Sequence, residues 1–247
     1  MPAASSPQAP RPAFYALSPG GWRDLVTILH LPYTAWNLSY VAIGAALAPS
    51  FHLWRLAAAL GAFFLALGIA LHALDELAGR PLGTQLSRRT LIALAVGGLG
   101  GACAIGVAVA LVVSLWLLAF VVVGAFLSLA YNLELFGGRF HTDLWLGIAW
   151  GAFPPLTGWF VEATDVRVES LLLSLACLLL ILVQRRLSTP ARELRRRTVS
   201  LSGRQVLRDG SVRELDQQLL LAPLEAALSL LWKGMVVLAA ALVVARL

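Results

Sequence analysis

Seven apolar runs, each close to the length of a bilayer crossing, dominate this chain and leave little room for another architecture. They fall at about 33–49, 53–74, 91–113, 115–132, 144–162, 168–187 and 220–246. A helix needs roughly 20 mostly apolar residues to cross a hydrocarbon core. Of the 247 residues, 59% are apolar and 13% charged. Soluble domains average about 45–50% and about 25%. A soluble globule of this length would lack polar surface, which argues against a soluble enzyme, a nucleic-acid-binding domain and a disordered chain. The expected fold class is all-α, a polytopic transmembrane helical bundle of about seven spans. Glu225, Trp232 and Lys233 interrupt the last run. It is either one tilted span or a re-entrant piece followed by an eighth. Residues 21–247 are expected to form a single transmembrane domain. Residues 1–20, rich in Pro, Ala and Ser, read as a disordered tail rather than a cleaved signal.

Charge placement gives an orientation. Eighteen of the 19 basic residues are Arg. Arg11 and Arg23 precede the first run, Arg80, Arg88 and Arg89 follow the second, and Arg139 follows the fourth. The segment 184–217 carries nine Arg against Glu193, Asp209, Glu214 and Asp216. The alternate loops hold only Arg55 and Arg167. Basic loops mark the cytoplasmic side, so the N-terminus and the loops near 75–90, 133–143 and 184–217 are expected there, with the C-terminus outside. The net charge of +6 then reflects membrane topology and anionic lipid, not a nucleic-acid partner. Cys103 and Cys177 lie within apolar runs and read as packing residues. Gly97 with Gly101 and Gly147 with Gly151 have the spacing that lets helices approach closely. Pro154-Pro155 is expected to break or kink the fifth span.

Ionisable residues at membrane depth are costly, and this makes them informative. His72, Asp75 and Glu76 stand at i, i+3 and i+4 in LHALDELAGRPLGT, with Arg80 a turn later. Read as one helical face, they suit a divalent cation or a proton relay, with Arg80 on a phosphate. The other reading is a solvated helix end with a Glu76–Arg80 ion pair. Tyr131 and Asn132 close the fourth run, and Arg139, His141 and Asp143 precede the fifth. Asp143 either caps a helix or shares a cavity with Asp75. Asn37 is a helix–helix contact or a ligand contact. The 184–217 segment is a solvated stretch on lipid or a lid that neutralises a diphosphate.

The order of these features resembles the UbiA superfamily of intramembrane prenyltransferases over roughly residues 20–187. HLPYTAWNLSYVAIGAAL is similar to that family's opening helix. The acidic cluster precedes an Arg80-Pro81-Leu82 triplet, and Tyr-Asn ends the fourth span. GRFHTDLWLGIAWGAFPPLTGWF resembles the family's next segment. His72 stands where the family's first motif has an Asp, and Glu193 is the acid at the second motif's place. The resemblance implies a UbiA-like bundle that transfers an isoprenoid chain from a prenyl diphosphate to an aromatic or other lipophilic acceptor. It implies Mg2+ on His72, Asp75, Glu76 and Glu193. Asn37, Arg80, Asn132, Arg139, Gln184, Arg185 and Arg192 would bind substrate, and Asp75, Asp143 and Tyr131 would be catalytic. The alternative is a non-catalytic descendant that binds an isoprenoid, a quinone or another lipid. A small transporter ranks last, since the sequence has no repeated half.

Overall fold

A computed structural model describes residues 11–247, and the chain is mostly helical, at 74%. Helix α1 (Trp22–Ile28) leads into α2 (Leu31–Leu47) through His30, whose φ of 44° is left-handed. Helix α3 (Leu53–Phe63) passes through a π-helical stretch, Phe64–Leu71, into α4 (His72–Gly79). Helices α5 (Arg88–Val112) and α6 (Leu117–Asn132) follow, then a single distorted turn, α7 (Leu135–Gly138). Helix α8 (Asp143–Leu146), a second π-helical stretch (Gly147–Ala152) and α9 (Phe153–Ala163) run on continuously. Helix α10 (Val168–Arg197) and α11 (Gln217–Val244) flank an antiparallel hairpin of β1 (Gly203–Val206) and β2 (Val212–Leu215).

Every apolar run lies on a helix, and four rods are long and apolar enough to cross a membrane: Leu53–Gly79, Arg88–Val112, Val168–Arg197 and Gln217–Val244. Their outer faces are apolar. Val96 and Leu111 on α5, Leu172 and Leu179 on α10, and Leu230 and Val237 on α11 are all exposed. Water penalises so much exposed hydrocarbon, whereas a lipid environment suits it.

Helix α2 is the hub of the bundle. Trp36, Asn37, Tyr40 and Val41 are all buried, and the helix packs on α9 and α11. Two glycines set its approach to α9. A Cβ on Gly44 would stand 2.0 Å from the Pro155 carbonyl oxygen, and one on Gly158 would stand 2.1 Å from that of Val41. The backbones therefore touch. Gly151 packs in the same way on α10, 2.6 Å from the Cα of Leu178. On α5 a Cβ on Gly98 would stand 2.7 Å from the Leu65 carbonyl oxygen and one on Gly101 3.0 Å from the Leu65 side chain, while Gly97 has open space around it.

Four expectations need correction. Pro154-Pro155 does not break the helix. The chain widens into π turns just before it, and the helix continues through both prolines to Ala163. The all-α class needs a small amendment, because residues 203–215 form a hairpin. Gly210 takes a φ of 83° in its turn, and Ser211 donates from its backbone N–H and hydroxyl to Asp209, holding that carboxyl below its ordinary range. The expected 184–217 loop begins late, since α10 continues to Arg197 and sets its arginines on a rigid rod. Of the expected N-terminal tail, residues 1–10 lie outside the described residues. Residues 11–20 form no helix but pack back onto the bundle, with Ala13 and Ala16 buried against Leu82. At the opposite end of the bundle, Glu162 is buried and accepts from the backbone N–H of His52 at 2.8 Å.

Candidate functional site

A cavity of about 500 Å³ opens at the end where residues 12–15, 72–81, 131–141 and 184–196 converge. Helix α11 closes one side with Glu225, Leu228 and Trp232. The rim is polar and the floor apolar, with Trp36, Leu67, Leu71, Leu146 and Trp150 below the charged groups. A concave site with an apolar wall and a few convergent polar groups is the usual form of a small-molecule pocket. This one is amphipathic along its depth.

Helix α4 shows how neighbouring carboxylates take different roles. Asp75 lines the cavity and makes no hydrogen bond or ion pair among the described residues. Glu76 points elsewhere and is only 1% exposed. One of its oxygens accepts from the Thr84 N–H and hydroxyl, both at 2.8 Å, and the other from the Leu82 N–H at 3.1 Å. It pins the loop after α4 and lines no part of the cavity. Arg80 does not pair with it. That guanidinium donates to the carbonyls of Thr84 at 2.7 Å and Leu86 at 3.0 Å, holding the same loop. His72 lines the cavity with its Nδ1 directed at the Gly68 carbonyl, and its ring stacks on His30 at 4.1 Å.

The remaining expected residues divide between cavity and periphery. Tyr131, Asn132, Gln184, Arg185 and Arg192 line the cavity. The Tyr131 ring stacks on His141 at 4.4 Å, and the Asn132 amide donates to Ser128 of its own helix. Asp143 is exposed outside the lining but pairs with Arg185 at 3.2 Å. Arg139 and Glu193 are exposed and do not line the cavity. Asn37 is fully buried within α2. Its amide donates to the Tyr33 carbonyl at 3.0 Å, and its Oδ1 has no partner among the described residues. The four residues expected to hold Mg2+ are therefore not brought together. Glu76 is committed to a loop and Glu193 faces away, so the donor set does not fit that site. Among the described residues, no group of three or more His, Cys, Asp or Glu is placed to hold a metal.

Several lining residues had no clear signal in the sequence. Arg195 and Glu225 form a two-pronged ion pair that ties α10 to α11, with Nη2 to Oε2 at 2.7 Å. Glu225 interrupting an apolar run was the one hint. Arg196 donates to the Pro12 carbonyl at 3.0 Å, drawing residues 12–15 across the mouth. Tyr15 reaches His30 Nδ1 at 3.0 Å. Burial pushes the Tyr15 phenol up to about 12, against an opposing pull from Arg196 and Arg192. Burial holds His30 well below its ordinary value, and His72, Arg196 and Arg192 lower it further. Both groups are neutral at pH 7, so the charge at the mouth belongs to the arginines and to Asp75, Glu134 and Glu225.

No family model matches the chain, and no curated protein or solved structure matches it.

Proposed function

We propose that this chain is a UbiA-like membrane prenyltransferase of about seven spans, with its Arg-rich end on the cytoplasmic side. Its substrate is an isoprenoid diphosphate, with the head group among the arginines of α10 and the chain along the apolar floor. The observation that supports this reading is the cavity itself, a charged mouth over a wall of Trp36, Leu67, Leu71 and Trp150. In the reaction the allylic C–O bond breaks, and the diphosphate leaves with the electron pair. Guanidinium groups meet its charge. The allylic cation lies against the Tyr131 ring and the Asp75 carboxylate. A lipophilic acceptor forms the new bond to carbon and gives its proton to Asp75.

The test is diphosphate release from a panel of allylic diphosphates with aromatic acceptors. Turnover that Asp75→Ala abolishes supports the reading, and turnover unchanged by Asp75→Ala contradicts it. The commitment of Glu76 to the 82–84 loop favours a second reading, in which the chain binds an isoprenoid, a quinone or another lipid without catalysis. Retained isoprenoid binding with no diphosphate release from any pair would select it.

A further inference from the structure

Four guanidinium groups, those of Arg185, Arg192, Arg195 and Arg196, line the cavity from one helix. Positions 185, 192 and 196 are close to two and three turns apart and share a stripe of α10. Two of the four charges are already matched. Arg185 pairs with Asp143, and Arg195 with Glu225. Arg192 and Arg196 have no carboxylate partner among the described residues. Arg192 contacts the Thr189 hydroxyl of its own helix at 3.5 Å, and Arg196 the Pro12 carbonyl.

The acidic side of the cavity is sparse. Both oxygens of Glu76 are occupied by the 82–84 loop. Glu225 is held by Arg195, and Glu134 sits at the rim with its side chain 68% exposed. Asp75 is the carboxylate left beside the unmatched arginines. Magnesium at a phosphate site is normally held by one or two carboxylates together with the phosphates. A guanidinium fork binds phosphate oxygens two at a time without a metal. Residues 12–15 line the same mouth, where Arg192 and Arg196 are both exposed and open to an anion.

We infer that the cavity takes a diphosphate head group directly on Arg192 and Arg196, without a divalent cation, and that Asp75 opposes the anion. This rests on reading the cavity as an isoprenoid diphosphate site. The test is calorimetric titration of the full chain in detergent micelles, in EDTA and again in magnesium. The probes are inorganic pyrophosphate and geranyl S-thiolodiphosphate. Both should bind in EDTA, and magnesium, which sequesters the free diphosphate, should not strengthen binding. Arg192→Gln and Arg196→Gln should each weaken binding by about ten- to a hundredfold, the range for a lost hydrogen bond to a charged group. Arg192→Lys, which keeps the charge, should lose less, so a folding defect is distinguishable. Asp75→Asn should tighten binding in EDTA. Binding that requires magnesium, or that Asp75→Asn weakens, overturns the inference while leaving the prenyl diphosphate reading standing. Pyrophosphate binding in EDTA with no gain from the geranyl chain supports the anion site and overturns the isoprenoid reading.

Discussion

Glu76→Ala and Asp75→Ala, one residue apart, should have very different consequences for folding. Glu76 accepts three hydrogen bonds, and its loss strands the Leu82 and Thr84 N–H groups in a buried loop. A buried donor left unpaired costs about 1–3 kcal/mol. Two such donors plus the lost hydroxyl contact give roughly 3–5 kcal/mol for Glu76→Ala, allowing for incomplete additivity. Glu76→Gln should recover part of this, because its Oε1 still accepts from Thr84 while its amide meets the Leu82 N–H donor to donor. Asp75 has no partner to lose, so Asp75→Ala should fall within about 0.5 kcal/mol of the wild type. Denaturant unfolding in mild detergent, followed by the fluorescence of the eight tryptophans, measures both. Equal destabilisation by the two substitutions would refute the division of labour drawn between them.

Other substitutions probe the packing and the mouth. Gly44→Ala and Gly158→Ala drive a methyl into a facing carbonyl and should each cost about 3 kcal/mol or more. Gly97→Ala, with nothing within 4 Å, should be neutral or slightly stabilising. Yield of monodisperse protein separates these outcomes. Glu225→Gln unmatches Arg195 and should tighten pyrophosphate binding by several-fold, as read by calorimetry, while loosening α10 from α11. Unchanged or weaker binding would count against electrostatic control of the mouth. Acid should destabilise the fold through His30. Its folded pKa lies below the ordinary 6.5, so on acidification the unfolded chain takes up the proton first. Stability is thus complete above pH 6.5 and is lost as pH falls below it. His30→Asn tolerates the left-handed backbone and should show a smaller drop in thermal midpoint between about pH 7 and about pH 5 than the wild type. An equal drop would contradict this assignment.

Much of the helical layout was legible because lipid demands long apolar runs, and each such run lies on a helix. The site was less legible for a geometric reason. Residues 72, 75 and 76 share a broad helical face, but adjacent positions diverge by about 100°. Asp75 enters the cavity, whereas Glu76 is turned to the 82–84 loop by the three hydrogen bonds it accepts there. Arg80, read from its motif as a phosphate ligand, is used instead to hold the loop that follows it. The Arg-rich 184–217 segment looked like a loop because its charges mask its helicity. The structure extends α10 through Pro190 to Arg197 and so aligns Arg185, Arg192 and Arg196. The small-residue spacing on α5 identified the correct helix and one of its close approaches, Gly101 against Leu65, whereas Gly97 has open space and Gly98 makes the backbone contact.

Photo-crosslinking with a benzophenone-bearing geranyl diphosphate tests the amphipathic cavity most directly. Labelled peptides should come from residues 67–81 and 184–196, with labelling competed by unlabelled geranyl S-thiolodiphosphate and reduced in Arg192→Gln. Labelling spread over the exposed apolar face of α5, indifferent to competitor and to Arg192→Gln, would contradict the cavity as the binding site.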